Sequence, residues 1–116
     1  MIDVEPERFA ELVGTALDSI PSELAKYMDN VGVYVEDDAP PRRLYGLYEG
    51  SPLTARGGGY GVGAVMPDRI TIFRQTICAH SHTEEELVQR VRVTVIHEVA
   101  HHFGISDDRL DELGWA

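Results

Sequence analysis

His97-Glu98-Val99-Ala100-His101-His102-Phe103-Gly104-Ile105-Ser106-Asp107 is the stretch on which the reading of this chain turns. Each residue of an α-helix advances about 100°, so His97 and His101 stand about 40° apart on one face, with Glu98 beside them. Two imidazole nitrogens at that spacing clamp a tetrahedral zinc ion. The neighbouring carboxylate is placed to take a proton from a water that the metal activates. The pattern is that of metal-assisted hydrolysis.

Three fixed positions arise by chance, and the surroundings make the signal specific. Val91, Val93, Val95, Ile96, Val99, Ala100 and Phe103 are apolar round most of the helix, which predicts a buried segment. Burying two histidines and a glutamate there costs on the order of several kcal/mol unless partners satisfy them. Gly104 suits a left-handed turn that ends the helix and swings the chain back. Asp107 then follows where a returning chain supplies a third, oxygen ligand. Asp108, Asp111 and Glu112 are its rivals. Gly104 favours Asp107, because only a carboxylate within a few residues of the turn returns to His101. Asp111 lies one helical turn further on the same face, suited to hydrogen-bonding a ligand. His102, about 140° round from His97, is expected to pack or to support rather than to ligate.

Outward from this stretch, Thr83-Glu84-Glu85-Glu86 reads as a capping box, with Thr83 capping the helix and Glu86 reaching back. The metal helix is thus expected over 84–103, with Arg90 and Arg92 marking its wet first half. Ser106 caps a last helix, 107–113, with Leu110 and Leu113 inward and Trp115 packed on the domain. At the other end, Phe9, Leu12, Val13, Ala16, Leu17 and Ile20 repeat at three and four, giving an amphipathic helix over about 5–20 with Pro6 in its first turn. A short helix over 22–28 follows. Strands are expected over 31–36, 44–48 and 69–73, and a short helix or irregular crossing over 74–82. The fold class is α+β, with a small mixed three- to four-stranded sheet on a central metal-binding helix and a helix at either end.

HEVAHHFGISD resembles the small bacterial zincin-like metallopeptidases with an HExxHxxGxxD signature. The resemblance extends through Leu44–Gly50 and Met66–Phe73 and on to Gly114, about two-thirds of the chain. It implies a minimal zincin fold, one zinc ion bound by His97, His101 and Asp107, and Glu98 as general base in the hydrolysis of peptide bonds. In such folds a sheet edge beside the metal aligns an extended substrate as an added strand. Tyr45, Tyr48 and Tyr60 are the candidates for stabilising the oxyanion.

Neighbouring classes fit less well. The metzincin pattern needs a third histidine and a later methionine turn, and Met1, Met28 and Met66 all precede the helix. Single-domain endoribonucleases with an HxxxHxxGxDH pattern place a third ligand at the same offset, but they lack this glutamate and need a basic groove. A zinc-binding interaction module with little turnover is the non-enzymatic alternative, although two histidines and one aspartate leave a coordination position open, unlike closed structural sites.

Composition bounds the rest. The 116 residues suit one domain, 1–116, with a single core. Ten Lys and Arg against twenty Asp and Glu, a net charge of −10, disfavour nucleic acid and anionic membrane. An extended or cationic peptide or protein is the partner that fits. The start carries no signal-peptide pattern and no apolar run reaches the ~20 residues of a membrane span, so a cytoplasmic protein is expected. Cys78 is expected to be buried rather than to ligate. His80 and His82 are expected in solvent. The glycines of 50–63 lack the strand, helix and lysine of a phosphate-binding loop, and a mobile flap is expected there.

Overall fold

The computed structural model describes residues 1–37, 44–50 and 68–115. The glycine-rich segment from residue 51, with Tyr60 in it, and residues 38–43 lie outside the described residues.

Helix α1 spans Pro6–Asp18 and α2 Ser22–Ala25, with a 3₁₀ turn over Lys26–Met28. Strand β1 is Val31–Glu36, β2 Gly46–Glu49 and β3 Asp68–Phe73. Three helices follow: α3 over Arg74–Ala79, α4 over Glu84–His102 and α5 over Asp107–Leu113. The first helix stops two residues short of the expected end, because Ser19 closes it with its N–H and hydroxyl on the Ala16 carbonyl. Ile20 is buried all the same.

Among the described residues the sheet has three strands in the order β1-β3-β2. β1 pairs parallel to β3, from Val31 opposite Asp68 to Glu36 opposite Phe73. β2 pairs antiparallel, with Gly46 opposite Ile72 and Tyr48 opposite Ile70. The central strand carries Ile70 and Ile72, both fully buried. They meet the apolar stripe of α4, where Leu87, Val91, Val95, Ile96, Val99 and Ala100 are fully buried. Phe9, Leu12, Val13 and Ala16 of α1 and Leu110 of α5 complete this core. Each side chain of this size contributes about 1.5–3 kcal/mol on burial, so α4 is held along its whole length.

Both ends of α4 are closed as the residues suggest, with one difference. Thr83 Oγ1 accepts from the Glu86 N–H at 3.0 Å. The Glu86 carboxylate, however, turns to His82 Nδ1 at 3.4 Å and Arg90 Nη2 at 3.7 Å instead of reaching back. A salt bridge from Arg8 of α1 to Glu84, 2.8 Å long, ties this end to the first helix.

Strand β2 runs alongside α4 at close quarters. A Cβ on Gly46 would lie 2.8 Å from Thr94 Cγ2 and 3.0 Å from the Thr71 carbonyl oxygen, so only glycine allows this approach. Arg90, Thr94 and Glu98 recur every fourth residue and meet Tyr45, Gly46 and Tyr48 in turn. Arg90 is therefore half-buried against the strand, not part of a wet face, while its stem and ring contacts follow from the same spacing that places Glu98.

Candidate metal centre

The helical spacing puts the His97 and His101 rings 5.9 Å apart, centroid to centroid, tilted by 35°. His97 is partly buried, whereas His101 lies at the open end of the helix with half its side chain exposed. Directly after it the chain reverses. Gly104 adopts φ +79°, its N–H donates to the His101 carbonyl at 3.2 Å, and the Ile105 N–H donates to the Ala100 carbonyl at 2.7 Å. These two bonds make a Schellman motif, which a side chain at Gly104 would strain.

The reversal delivers Ser106, whose hydroxyl accepts from the Arg109 N–H at 3.2 Å and starts α5. Asp107 is the first residue of that helix, and its Oδ1 accepts from His101 Nε2 at 2.9 Å. The hydrogen bond from His101 holds the Asp107 carboxyl below the usual carboxylate range; desolvation opposes it, and attraction to His101 and His97 adds to it. Of the rivals, Glu112 is turned to Arg109 at 3.0 Å, an i,i+3 ion pair on the outer face of α5.

Glu98 points sideways to the sheet. Its Oε1 accepts from the Tyr48 backbone N–H at 3.0 Å. Tyr48 is itself clamped: its hydroxyl donates to Asp68 Oδ2 at 2.6 Å, and its ring stacks on His102 at 4.0 Å and 20°. His102 Nε2 lies 3.8 Å from the same Asp68 oxygen, and Phe103 meets both rings edge-on. His102 thus packs, as its helical angle suggests. Sequence reasoning missed Asp68, although it stands in the Met66–Phe73 stretch that carries the family resemblance; a lone aspartate at a strand start gives no sign of the tyrosine it will bind.

Two oxyanion candidates have their hydroxyls engaged, Tyr48 with Asp68 and Tyr45 with Arg90 Nη1 at 3.3 Å. His80 Nδ1 pairs with the Thr76 carbonyl oxygen at 2.9 Å, and His82 is exposed beside Glu86. Cys78 is buried, and burial pushes its thiol pKa up, away from the thiolate a metal needs.

As they stand, no three His, Cys, Asp or Glu side chains among the described residues form a ready metal-holding group. The donor chemistry nonetheless fits zinc. Two ligands at ~2.0–2.1 Å on a tetrahedral ion sit about 3.3 Å from each other, and His101 Nε2 and Asp107 Oδ1 are 2.9 Å apart. A shift of about half an ångström between them separates the hydrogen-bonded pair from a pair of ligands.

The zincin-like metallopeptidase family model matches residues 28–115. This chain belongs to that family. The zincin-like match takes in all three strands, α4 and α5, and leaves α1 outside it. A solved structure of similar fold is that of a conserved hypothetical protein from Thermo thermophilus. It is 23% identical, with a TM-score of 0.57, over 86% of this chain and 94% of that one. No curated protein matches. Among the described residues no helix is long and apolar enough to cross a membrane.

Proposed function

We propose that this zincin-like chain is a zinc-dependent peptidase, one ion per chain, held by His97, His101 and Asp107, with Glu98 as general base. The observation that carries the reading is the joint placement of the His101–Asp107 pair and of Glu98 against the edge strand. Zinc bound there supplies a Lewis-acid centre that lowers the pKa of water and polarises a carbonyl. Glu98 takes the proton from the attacking water and passes it to the leaving amine, as a carboxylate within hydrogen-bond reach of both can.

The edge of β2 would orient the substrate. Phe73 donates its N–H to the Tyr45 carbonyl at 2.9 Å, so Tyr45 and Leu47 turn their backbone groups towards β3, and Gly46 and Tyr48 turn theirs outward. An extended peptide laid along that edge meets the outward backbone groups of Gly46 and passes Glu98, which holds the outward Tyr48 N–H. The acidic composition supports a peptide or protein partner, cationic ones included, over nucleic acid or anionic membrane.

The test is hydrolysis of a randomised peptide library by zinc-loaded protein, with and without chelator. New amino termini that vanish on chelation support the peptidase. Zinc-loaded protein that captures peptides without cutting any would mark an inert binding module instead.

A further inference from the structure

A cavity of about 320 Å³ lies between α4 and the start of β2, lined by Tyr45, Glu86, Gln89, Arg90, Val93 and Thr94. Its helical lining continues the stripe of the metal ligands. Glu86, Arg90, Val93, His97 and His101 follow at intervals of four, three, four and four residues, all within about 40° of His97. Val93 is one turn, about 6 Å, before His97, so a peptide on the β2 edge that reaches Glu98 passes the mouth of this cavity. The volume lies at the small end of the range of ligand sites and leaves room for a large side chain.

Its chemistry narrows the occupant. The Tyr45 ring, Val93 and the Thr94 methyl give it apolar walls, and among the described residues the only cation in its lining is Arg90. The Arg90 guanidinium lies 5.2 Å from the centre of the Tyr45 ring and donates to the His80 carbonyl at 3.0 Å. Its Nε is buried, so only the two terminal nitrogens of the guanidinium are left to meet an occupant. Its contact with the Tyr45 hydroxyl is long for a hydrogen bond, at 3.3 Å. Arg90 therefore has, at Nη1, a weak bond ready to exchange for an acceptor in the cavity. Glu86 does not favour a cationic occupant, since His82 and Arg90 already sit on its carboxylate.

We infer that this cavity is a side-chain subsite of the cleft, where Arg90 selects a substrate residue with an aliphatic stem and an oxygen-acceptor end, glutamine or glutamate. The inference rests on the peptidase reading for the location of the peptide, but its test needs no turnover.

Zinc-loaded Glu98→Gln protein is titrated with acetylated, amidated alanine hexapeptides that carry one guest residue, Gln, Glu, Leu or Lys, at each position in turn. At one position Gln or Glu is expected to bind at least tenfold tighter than Leu and Lys. Arg90→Met is expected to reduce that ratio below threefold, and Arg90→Lys to keep part of it. Val93→Trp, which fills the cavity and leaves Arg90 in place, is expected to abolish it as well. Unchanged zinc content and a cooperative melt identify variants that have folded. Binding that ignores the guest residue, a preference for Leu or Lys, or a ratio untouched in both Arg90→Met and Val93→Trp overturns the subsite alone. If none of the peptides binds, the peptidase reading falls and the subsite with it.

Discussion

The backbone N–H of Tyr48 donates to the Glu98 carboxylate at 3.0 Å, joining the proposed base to the outer edge of the sheet. The bond needs an acceptor oxygen and not a charge. Glu98→Gln retains such an oxygen, so the variant is expected to fold, to hold zinc like the parent and to lose hydrolysis, because an amide cannot take the proton of water. Zinc content and initial rates on a cleaved peptide check this. A variant that still cleaves within tenfold of the parent would remove Glu98 from the role of base.

Asp107 alone among the described carboxylates of the last helix meets a histidine proposed as a ligand, at 2.9 Å. Asp107→Ala is expected to weaken zinc binding at least tenfold. Asp108→Ala and Glu112→Ala are expected to leave it nearly unchanged, the second because Glu112 faces Arg109. Titration against a competing chelator measures all three, and parental affinity in Asp107→Ala would move the third ligand elsewhere.

Tyr48→Phe removes the donor at 2.6 Å from Asp68, a side chain only 6% exposed. Leaving a buried carboxylate short of a donor costs about 1–3 kcal/mol. Urea unfolding of the metal-free protein is expected to show that loss, and a change well below half a kilocalorie would mean that this hydrogen bond contributes nothing to stability.

The Arg8–Glu84 bridge gives a pH signature. The hydrogen bond from Arg8 holds Glu84 below its ordinary value of 4.5. A carboxyl depressed on folding stabilises the native state above its unfolded pKa, and that contribution fades as pH falls through the lowered folded value. The stability difference between parent and Glu84→Gln is therefore expected to be constant above about pH 5 and to shrink below about 4.5. Salt shrinks it too, since both side chains are about half exposed. Thermal melts across pH at two salt concentrations follow it.

Much of this was legible in the sequence because its causes are local. The apolar residues from Val91 to Ala100 mark α4 as a buried helix, although Phe103 beyond its end is exposed. Thr83 and Ser106 cap the helices they precede, and Gly104 takes the left-handed turn that brings Asp107 to His101. What sequence did not reveal depends on partners far along the chain. Glu86 turned to His82 and Arg90 because both side chains lie four residues from it, one on either side, and compete for its carboxylate. Arg90 left the solvent because β2 approaches α4 at Gly46, a contact fixed by packing and not by any pattern near residue 90. Asp68, Tyr48 and His102 come from three elements, so no spacing announces them.

Zinc stoichiometry addresses the metal centre most directly. Metal-free protein is incubated with excess zinc at neutral pH, passed through a desalting column and assayed for bound metal, then dialysed in steps towards acid. One zinc per chain is expected, lost on acidification as protons compete with the metal for the imidazole nitrogens, and His97→Ala and His101→Ala are expected to retain none. No stoichiometric zinc in the parent, or full retention in both histidine variants, would contradict it.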